Sequence, residues 1–327
     1  TAIIALTHGG RKLGEQLASL LPNSIFIRPQ QGVKKALFQA WQEYDHLICI
    51  MATGIVVRSL APLLLDKTSD PAVVVCDEQG KFAIPLLSGH IGGGNDLAQK
   101  VAHLCGGQAV ITTASDVLGH TAVDLWAREL NLAVVDRQRL TNAMAKLVNT
   151  GFISLYSSYP LPKLPKDIIE HHDRKTADLI ISSRTECGPG QALLHPKSLT
   201  IGIGCNRNTP AEEITTALQQ TCKQNYLAPQ SVRNISTIDL KRDEPGLLAV
   251  AEQQEWPILF YSPEQLNNVN CSASSTAVLR ATGAKSVAEP AAILSADNGP
   301  LLVKKIKYPN VTVAVAELRT PWKTATN

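Results

Sequence analysis

The stretch from residue 82 to residue 97 constrains this chain most, because a strand pattern, a loop and a helix pattern follow one another directly. The apolar residues 82–87 predict a buried strand, and the spacing of Leu97, Val101 and Leu104 predicts an amphipathic helix. The loop between them carries four glycines: Gly89, Gly92, Gly93 and Gly94. Because glycine permits tight turns and close approach of a ligand to the main chain, this glycine loop (residues 88–95) predicts either a binding site or a plain strand-to-helix turn.

Three polar side chains of the glycine loop are candidates for chemistry. His90 is a candidate general base, because imidazole exchanges protons near neutral pH; the alternative is a histidine that only hydrogen-bonds the loop. Ser88 is a candidate nucleophile or a binding hydroxyl, since its spacing from His90 does not specify a catalytic geometry. Asn95 is a predicted N-cap, and the N–H groups at the helix start favour anions. The loop matches neither a Walker loop nor G-x-G-x-x-G, which lowers the prospect of a nucleotide site.

Composition excludes several classes of protein. The chain has 327 residues, of which 44% are hydrophobic and 18% charged, as in ordinary soluble proteins. A net charge of +3 does not argue for nucleic acid. The longest apolar run, residues 55–65, is interrupted by Arg58 and is too short to cross a membrane. Seven cysteines without a C-x-x-C pattern argue against a disulfide framework or a zinc site. We therefore predict a cytoplasmic protein without nucleic-acid or membrane partners.

Three segments follow one another along the chain. Residues 1–125 alternate strand and helix patterns and predict an α/β domain with a largely parallel sheet. Within it, residues 72–76 and 81–86 predict a hairpin. Residues 126–197 predict a small middle domain that ends in a linker. Residues 198–327 predict a separate α/β domain, in which Thr209 and Ser262 begin capping-box patterns with proline at the first helical position.

Polar or glycine residues follow four strand patterns of the first domain, at residues 7–10, 53–54, 88–90 and 112–116. In an open α/β sheet, ligands bind beyond the carboxyl ends of the strands. If the strands are parallel neighbours, the four loops share one crevice, which would bring His8, Thr53 and Gly54 to the glycine loop. Arg58, on an otherwise apolar helix, is either an anion-binding cation or a surface salt-bridge partner.

The last domain has a charged turn at residues 236–245, which includes Lys241 and Glu244. Such a turn is either a solvated surface or a polar wall that faces an acidic ligand or the first domain. In the middle segment, His171 and His172 follow one another but lack further predicted ligands, so no metal site is expected there.

Several motifs together resemble a known family. Residues 52–58, 70–75, 85–93 and 111–116 resemble the amino-terminal domain of the CbiG family. Residues 202–205, 238–245 and 286–292 resemble its carboxy-terminal domain, which is shared with CobE. The blocks occur in the expected order over most of residues 1–125 and 199–316, and their joint occurrence is more specific than any one loop.

The resemblance implies a cobalt-precorrin-5A hydrolase of anaerobic cobalamin synthesis, a hydrolase acting on a carbon–carbon bond. Such an enzyme opens the δ-lactone on ring A of the macrocycle and releases the C20 carbon with its methyl group as acetaldehyde. It implies no cofactor and no protein-bound metal, because cobalt arrives in the substrate. Other enzymes of the pathway stay open as partners. Two alternatives also stay open: a non-catalytic carrier of a corrin intermediate, and a nucleotide- or phosphate-binding α/β protein.

The resemblance supplies no residue roles, so we assign them from the residues themselves. We predict His90 and Ser88 as catalytic, with the N–H groups of residues 92–94 as donors to the oxyanion. The predicted substrate-binding residues are those of the glycine loop, the other strand ends and the charged turn: Gly89, Gly92, Gly93, Gly94, Asn95, Thr53, Gly54, Arg58, His8, Lys241 and Glu244.

Overall fold

The computed structural model describes residues 1–66, 69–271 and 276–322, and the chain divides into two compact units, Thr1–Leu125 and Trp126–Asn327. Residues 126–197 and 198–327 both lie in the second unit, although each of the two segments contributes a sheet. No helix in the described ranges is long and apolar enough to cross a membrane.

The first unit alternates strands and helices. In chain order its elements are β1 (Ala2–Ala5), α1 (His8–Leu20), β2 (Ile25–Ile27), α2 (Val33–Glu43), β3 (His46–Ile50), α3 (Thr53–Leu60), β4 (Ala72–Cys76), β5 (Phe82–Leu87), α4 (Gly94–Cys105), β6 (Gln108–Ala109), α5 (Ala114–Leu118) and α6 (Val123–Glu129), which continues past the unit boundary.

These six strands form one sheet in the order β2-β1-β3-β4-β5-β6. Strands β1 to β4 are parallel, β5 is antiparallel to β4, and β6 is parallel to β5. The sheet therefore has a carboxyl edge, where β1, β3 and β4 end, and an amino edge, where those strands begin and β5 and β6 end. The pairing of Leu87 with Val73 places the end of β5 beside the start of β4, at the amino edge. The predicted hairpin is confirmed, and it sends the glycine loop to the amino edge.

Helices cover both faces of this sheet. The central strands β1, β3 and β4 are buried along nearly their whole length, which is typical of parallel strands between two helical layers. On one face Leu37 and Val56 pack against the sheet, and on the other Leu17 and Val101 do so. Cys49 and Cys76 belong to this core, where burial raises the pKa of each thiol to about 12.

The second unit contains two five-stranded sheets among its described residues. The first sheet, ordered β7-β11-β10-β8-β9, consists of β7 (Ala133–Val134), β8 (Ile153–Ser157), β9 (Ile168–Glu170), β10 (Leu179–Ile181) and β11 (Ala192–His195), with α7 (Arg137–Thr150) packed on it. The second sheet, ordered β14-β13-β12-β16-β15, consists of β12 (Leu199–Cys205), β13 (Val232–Ile238), β14 (Ile258–Tyr261), β15 (Leu301–Lys307) and β16 (Val311–Glu317). Its helices are α8 (Ala211–Gln224), α9 (Pro245–Gln254), α10 (Pro263–Asn267), α11 (Thr276–Thr282) and α12 (Ala288–Ser295).

Glu317, the last residue of β16, joins the two sheets of the second unit. Its Oε1 atom accepts hydrogen bonds from the hydroxyls of Tyr159 at 2.6 Å and Ser183 at 2.5 Å. Burial and the neighbouring carboxylate raise the pKa of Tyr159, so the phenol stays protonated and donates. The segment predicted as a middle domain is thus tied by side chains to the sheet that follows it.

The predicted α/β class, with a largely parallel amino-terminal sheet and an α/β carboxy-terminal segment, is confirmed. Of the two predicted capping boxes, that of Ser262 and Gln265 is present with both of its hydrogen bonds. The one at Thr209 is wrong, because helix α8 has Pro210 as its N-cap and the Thr209 hydroxyl instead donates to the Asn206 carbonyl at 2.8 Å.

Candidate functional site

The backbone of the glycine loop folds back on itself. Gly93 has a φ of +78°, a left-handed conformation that favours glycine. The N–H groups of Gly93 and Gly94 donate to the carbonyls of His90 at 2.9 Å and Ser88 at 3.0 Å. The prediction that these two N–H groups face an oxyanion is therefore wrong. Within the described residues the Gly92 N–H has no partner, so it stays available to a ligand.

Ser88 fastens the glycine loop to a neighbouring turn. Its hydroxyl donates to the Asp70 carbonyl at 2.9 Å, and its backbone has a φ of +53°. In the part of the chain that the structure describes, no base is hydrogen-bonded to this hydroxyl. This geometry contradicts the prediction of a catalytic Ser88 and indicates a structural role.

His90 lies among polar side chains from the two segments that follow α4. Its Nε2 atom is 2.8 Å from Asp116 Oδ2 and 3.3 Å from Ser115 Oγ, both on α5. Its Nδ1 atom is 3.7 Å from Asp124 Oδ1, on α6. The side chains of His90 and Asp124 are 17% and 10% exposed, so the imidazole is shielded but reachable. We refer to His90, Asn95, Ser115, Asp116 and Asp124 as the His90 cluster.

Asn95 holds the Asp116 carboxylate in place. Helix α4 begins at Gly94 with Gly93 as its N-cap, so the prediction of Asn95 as N-cap is wrong. Asn95 is only 6% exposed. Its side-chain Nδ2 instead donates a hydrogen bond to Asp116 Oδ2 at 2.7 Å. One oxygen of Asp116 thus accepts from both Asn95 and His90, which fixes the carboxylate against the imidazole.

This contact decides which ring nitrogen of a neutral His90 carries the proton. A carboxylate only accepts hydrogen bonds, so Nε2, at 2.8 Å from Asp116, must be the N–H nitrogen. Nδ1 then has the free lone pair and is the atom that can take up a proton. Ser115 faces Nε2, the nitrogen already bonded to Asp116, and is therefore not activated as a nucleophile.

The ends of β1 and β3, which precede residues 7–10 and 53–54, lie at the carboxyl edge. Thr53 lines a cleft of about 440 Å³ there, together with Thr7, whose hydroxyl donates to Glu78 at 2.7 Å. The remaining lining is mostly apolar: Leu6, Ile50, Met51, Ile55, Val75, Phe82 and Ile84. The expectation of one crevice shared by four loops is wrong, because the loops at residues 7–10 and 53–54 lie opposite those at residues 88–90 and 112–116.

Arg58 and His8 belong to the carboxyl edge as well. Arg58 is exposed, and its guanidinium lies against Gly54, within 3.2 Å of where a Cβ would stand. No hydrogen-bond or ion-pair partner of the Arg58 guanidinium occurs among the described residues. His8 is the exposed first residue of α1. The structure therefore separates Thr53, Gly54, Arg58 and His8 from His90.

Lys241 and Glu244 form a buried pair in the second unit. The Glu244 side chain is fully buried; it accepts a hydrogen bond from the Asn208 N–H at 2.6 Å and from Lys241 Nζ at 3.1 Å. Such a carboxylate holds two loops together and does not itself face a ligand, which contradicts a direct binding role for Glu244. Substrate binding by Lys241, whose side chain is 13% exposed, stays a prediction.

Sequence reasoning missed the carboxylates that surround His90. In the sequence Asp116 stands out only as part of a strand-end loop, and no local pattern points to Asp124. No group of three His, Cys, Asp or Glu side chains in the described ranges is arranged to hold a metal ion.

Comparisons with known proteins extend over almost the whole chain. The family descriptions "Cobalamin synthesis G N-terminal" and "Cobalamin synthesis G C-terminus" match residues 35–116 and 199–316. A cobalt-precorrin-5A hydrolase from Priestia megaterium is 37% identical over 96% of this chain and 94% of its own length. One from Salmonella typhimurium is 34% identical over 96% of both chains. A crystal structure of CobE, from the cobalamin pathway, is 35% identical over 37% of this chain and 91% of that protein, with a TM-score of 0.35. The resemblance inferred from the sequence motifs is confirmed, and the chain belongs to the cobalamin synthesis G (CbiG) family.

Proposed function

We propose that this protein is a cobalt-precorrin-5A hydrolase, which opens the ring A lactone and releases acetaldehyde. The observation that carries the proposal is the near full-length likeness to the Priestia and Salmonella hydrolases, which leaves no large part of either relative unmatched. No cofactor or protein-bound metal enters the proposal, because cobalt is part of the substrate. A cytoplasmic location and contacts with other enzymes of the pathway remain part of the same proposal.

His90 is the general base in this proposal. The Asp116 carboxylate keeps the proton of the neutral imidazole on Nε2, which leaves Nδ1 to accept a proton from water. The same carboxylate stabilises the imidazolium that forms, as the acid of a catalytic triad does. The Asn95 amide keeps Asp116 in position for both tasks.

The reaction then runs in two balanced steps. The oxygen of water bonds to the acyl carbon of the lactone while His90 takes the proton, and the ester carbon–oxygen bond breaks. The oxygen released on C20 recovers that proton from His90. In the second step His90 takes the proton of this hydroxyl, and its oxygen becomes the carbonyl oxygen of acetaldehyde as the bond between C20 and the macrocycle breaks. The macrocycle takes up the bonding electrons and the proton from His90. Of the N–H groups of residues 92–94, that of Gly92 has no partner among the described residues, and we assign it as a donor to the developing oxyanion.

The surroundings of His90 suit a large planar substrate. Val117 and Leu118, which follow Asp116 on α5, are strongly exposed apolar side chains. Exposed apolar side chains next to a polar cluster are typical of ligand-binding surfaces. They would lie against the face of the macrocycle while the lactone reaches the imidazole.

Incubation of the purified protein with cobalt-precorrin-5A and an aldehyde trap tests the proposal. A hydrolase yields trapped acetaldehyde in a one-to-one ratio to the substrate consumed, over many turnovers. A carrier retains the corrinoid absorbance on the protein and yields no aldehyde, which would refute the enzymatic function. A nucleotide-binding protein would neither retain the corrinoid absorbance nor yield aldehyde.

A further inference from the structure

Asp124 and His90 face each other across a gap of defined width. The distance of 3.7 Å between Asp124 Oδ1 and His90 Nδ1 is too long for a direct hydrogen bond. With the proton of the neutral ring on Nε2, both facing atoms are acceptors. Two acceptors at this distance do not bond each other, but they match the two hydrogens of one water molecule.

We propose that Asp124 and His90 together hold the water that attacks the lactone, so that Asp124 is a catalytic carboxylate. A water oxygen at about 2.8 Å from both atoms spans a separation of 3.7 Å with each hydrogen bond bent by only about 10°. Each hydrogen of this water points to one acceptor, which leaves its lone pairs directed away from the pair and toward a substrate carbon. This inference rests on the proposed function and assigns the position of its nucleophile.

The local structure holds Asp124 in the necessary place. Asp124 is the second residue of α6, its side chain is 10% exposed, and its Oδ1 atom also accepts from the Leu125 N–H at 3.0 Å. An oxygen with two lone pairs can accept that bond and a bond from water. His90 is fixed from its other side by Asp116, so the gap between Nδ1 and Asp124 is set from both ends.

His90 Nδ1 and Asp124 Oδ1 have different roles when the water attacks. Nδ1 of His90 removes one proton as the water oxygen bonds to the acyl carbon. Asp124 keeps its hydrogen bond to the second hydrogen, which stays on the new carboxyl group and is lost to solvent when that acid ionises. The negative charge of Asp124 also lies beside the imidazolium that forms and lowers its energy. No oxidant, reductant or further reactant is required.

Three variants separate this role from general effects on structure. Asp124→Asn keeps the shape of the side chain and removes its charge, while Asp124→Ala removes the acceptor. Glu129→Gln is the matched control, because Glu129 is an exposed carboxylate on the same helix. Steady-state acetaldehyde release, the dissociation constant of the corrinoid and the thermal melting curve are measured for each. Sodium formate is added to Asp124→Ala as a small replacement carboxylate.

We expect Asp124→Asn to lower kcat about 10- to 100-fold and Asp124→Ala about 100-fold or more, within the usual range for acid–base groups. The corrinoid dissociation constant and the melting curve should stay close to those of the wild type, Glu129→Gln should be fully active, and formate should restore part of the activity of Asp124→Ala. If both Asp124 variants keep kcat within two-fold of the wild type, or if formate restores nothing, Asp124 does not hold the attacking water. In either case an active wild-type protein leaves the proposed function standing. A wild type without acetaldehyde release would refute the function itself, and this inference with it.

Discussion

The Nε2 atom of His46 lies 3.1 Å from the carbonyl oxygen of Gly92, so the first residue of β3 touches the glycine loop. Thr53 follows the opposite end of the same strand. Since each strand residue advances the chain by about 3.3 Å, the glycine loop and the first turn of α3 are separated by about 15 Å of sheet. The ligand group that reaches His90 at the amino edge therefore does not also contact Arg58 at the carboxyl edge.

Replacement of Arg58 by alanine tests this separation. We expect Arg58→Ala to leave both the corrinoid dissociation constant and kcat within about two-fold of the wild type. The exposed Arg11 on α1 provides the control Arg11→Ala. Loss of a charged hydrogen bond to substrate would cost roughly 1.5–3 kcal/mol, or about 10- to 100-fold in affinity. A loss of that size in Arg58→Ala alone would move the substrate to the carboxyl-edge cleft.

Two substitutions of Asp116 separate its charge from its hydrogen bonds. In Asp116→Asn the side-chain oxygen can still accept from Asn95 and His90, but the negative charge beside the imidazolium is lost. We expect kcat for acetaldehyde release to fall about 10- to 100-fold. Asp116→Ala, which removes both contacts, should be slower still. Unchanged kcat in both variants would exclude Asp116 from the positioning of His90.

The edge at which the glycine loop lies could have been predicted from the sequence. Residues 72–76 and 81–86 predict a hairpin, and a hairpin makes β5 antiparallel to β4. The end of β5 must then lie beside the start of β4. A crevice shared by all four loops requires all four strands to be parallel, and the predicted hairpin already excludes this for β5. The order of the remaining strands has no local signal, because β1 pairs with both β2 and β3 through long-range contacts.

The partners of His90 could not have been predicted from local patterns. Asp116 and Asp124 follow His90 by 26 and 34 residues, counted from their positions in the sequence, and only the fold brings the three together. The role of Asn95 could not have been predicted for a different reason. Asn95 is a good N-cap residue by type, yet the left-handed Gly93 ends the turn two residues earlier and frees the Asn95 side chain to bind Asp116.

The stability of the second unit depends on the buried Glu244. Glu244→Ala leaves the nearly buried Lys241 without its carboxylate and the Asn208 N–H without its acceptor. Removal of one partner of a buried ion pair typically costs 3–5 kcal/mol, so we expect a loss of about that size in the free energy of unfolding. The adjacent Asp243, whose side chain is 73% exposed, forms only a surface pair with Arg207. Asp243→Ala should cost much less, because solvent screens an exposed ion pair. Urea unfolding measures both variants, and equal costs would contradict the assigned role of Glu244.

The buried His195 should make the stability of the second unit sensitive to acid. Burial lowers the pKa of His195, although its hydrogen bond from Nδ1 to the Ser182 carbonyl at 2.7 Å acts in the opposite direction. Below about pH 6.5 the unfolded chain binds a proton that the folded chain resists. Stability from the neutral imidazole is therefore complete above that pH and declines as the pH falls toward 5, by at most about 1.4 kcal/mol per pH unit.

The substitution His195→Gln should remove this part of the acid sensitivity. We expect the difference in free energy of unfolding between pH 7 and pH 5 to be smaller in His195→Gln than in the wild type. The exposed His8 provides the control, and His8→Gln should retain the wild-type difference. Identical pH dependence in wild type and His195→Gln would show that the buried imidazole is not responsible.

The most direct test of the account compares acetaldehyde release by the wild type with that by His90→Gln and His90→Ala. The glutamine keeps a hydrogen-bonding side chain but cannot act as a base near neutral pH, and the alanine lacks both properties. We expect both variants to bind the corrinoid nearly as well as the wild type and to release acetaldehyde about 10²- to 10⁴-fold more slowly. If the wild type turns over and both variants release acetaldehyde within a few-fold of its rate, His90 is not the base, and the catalytic site lies elsewhere in the protein.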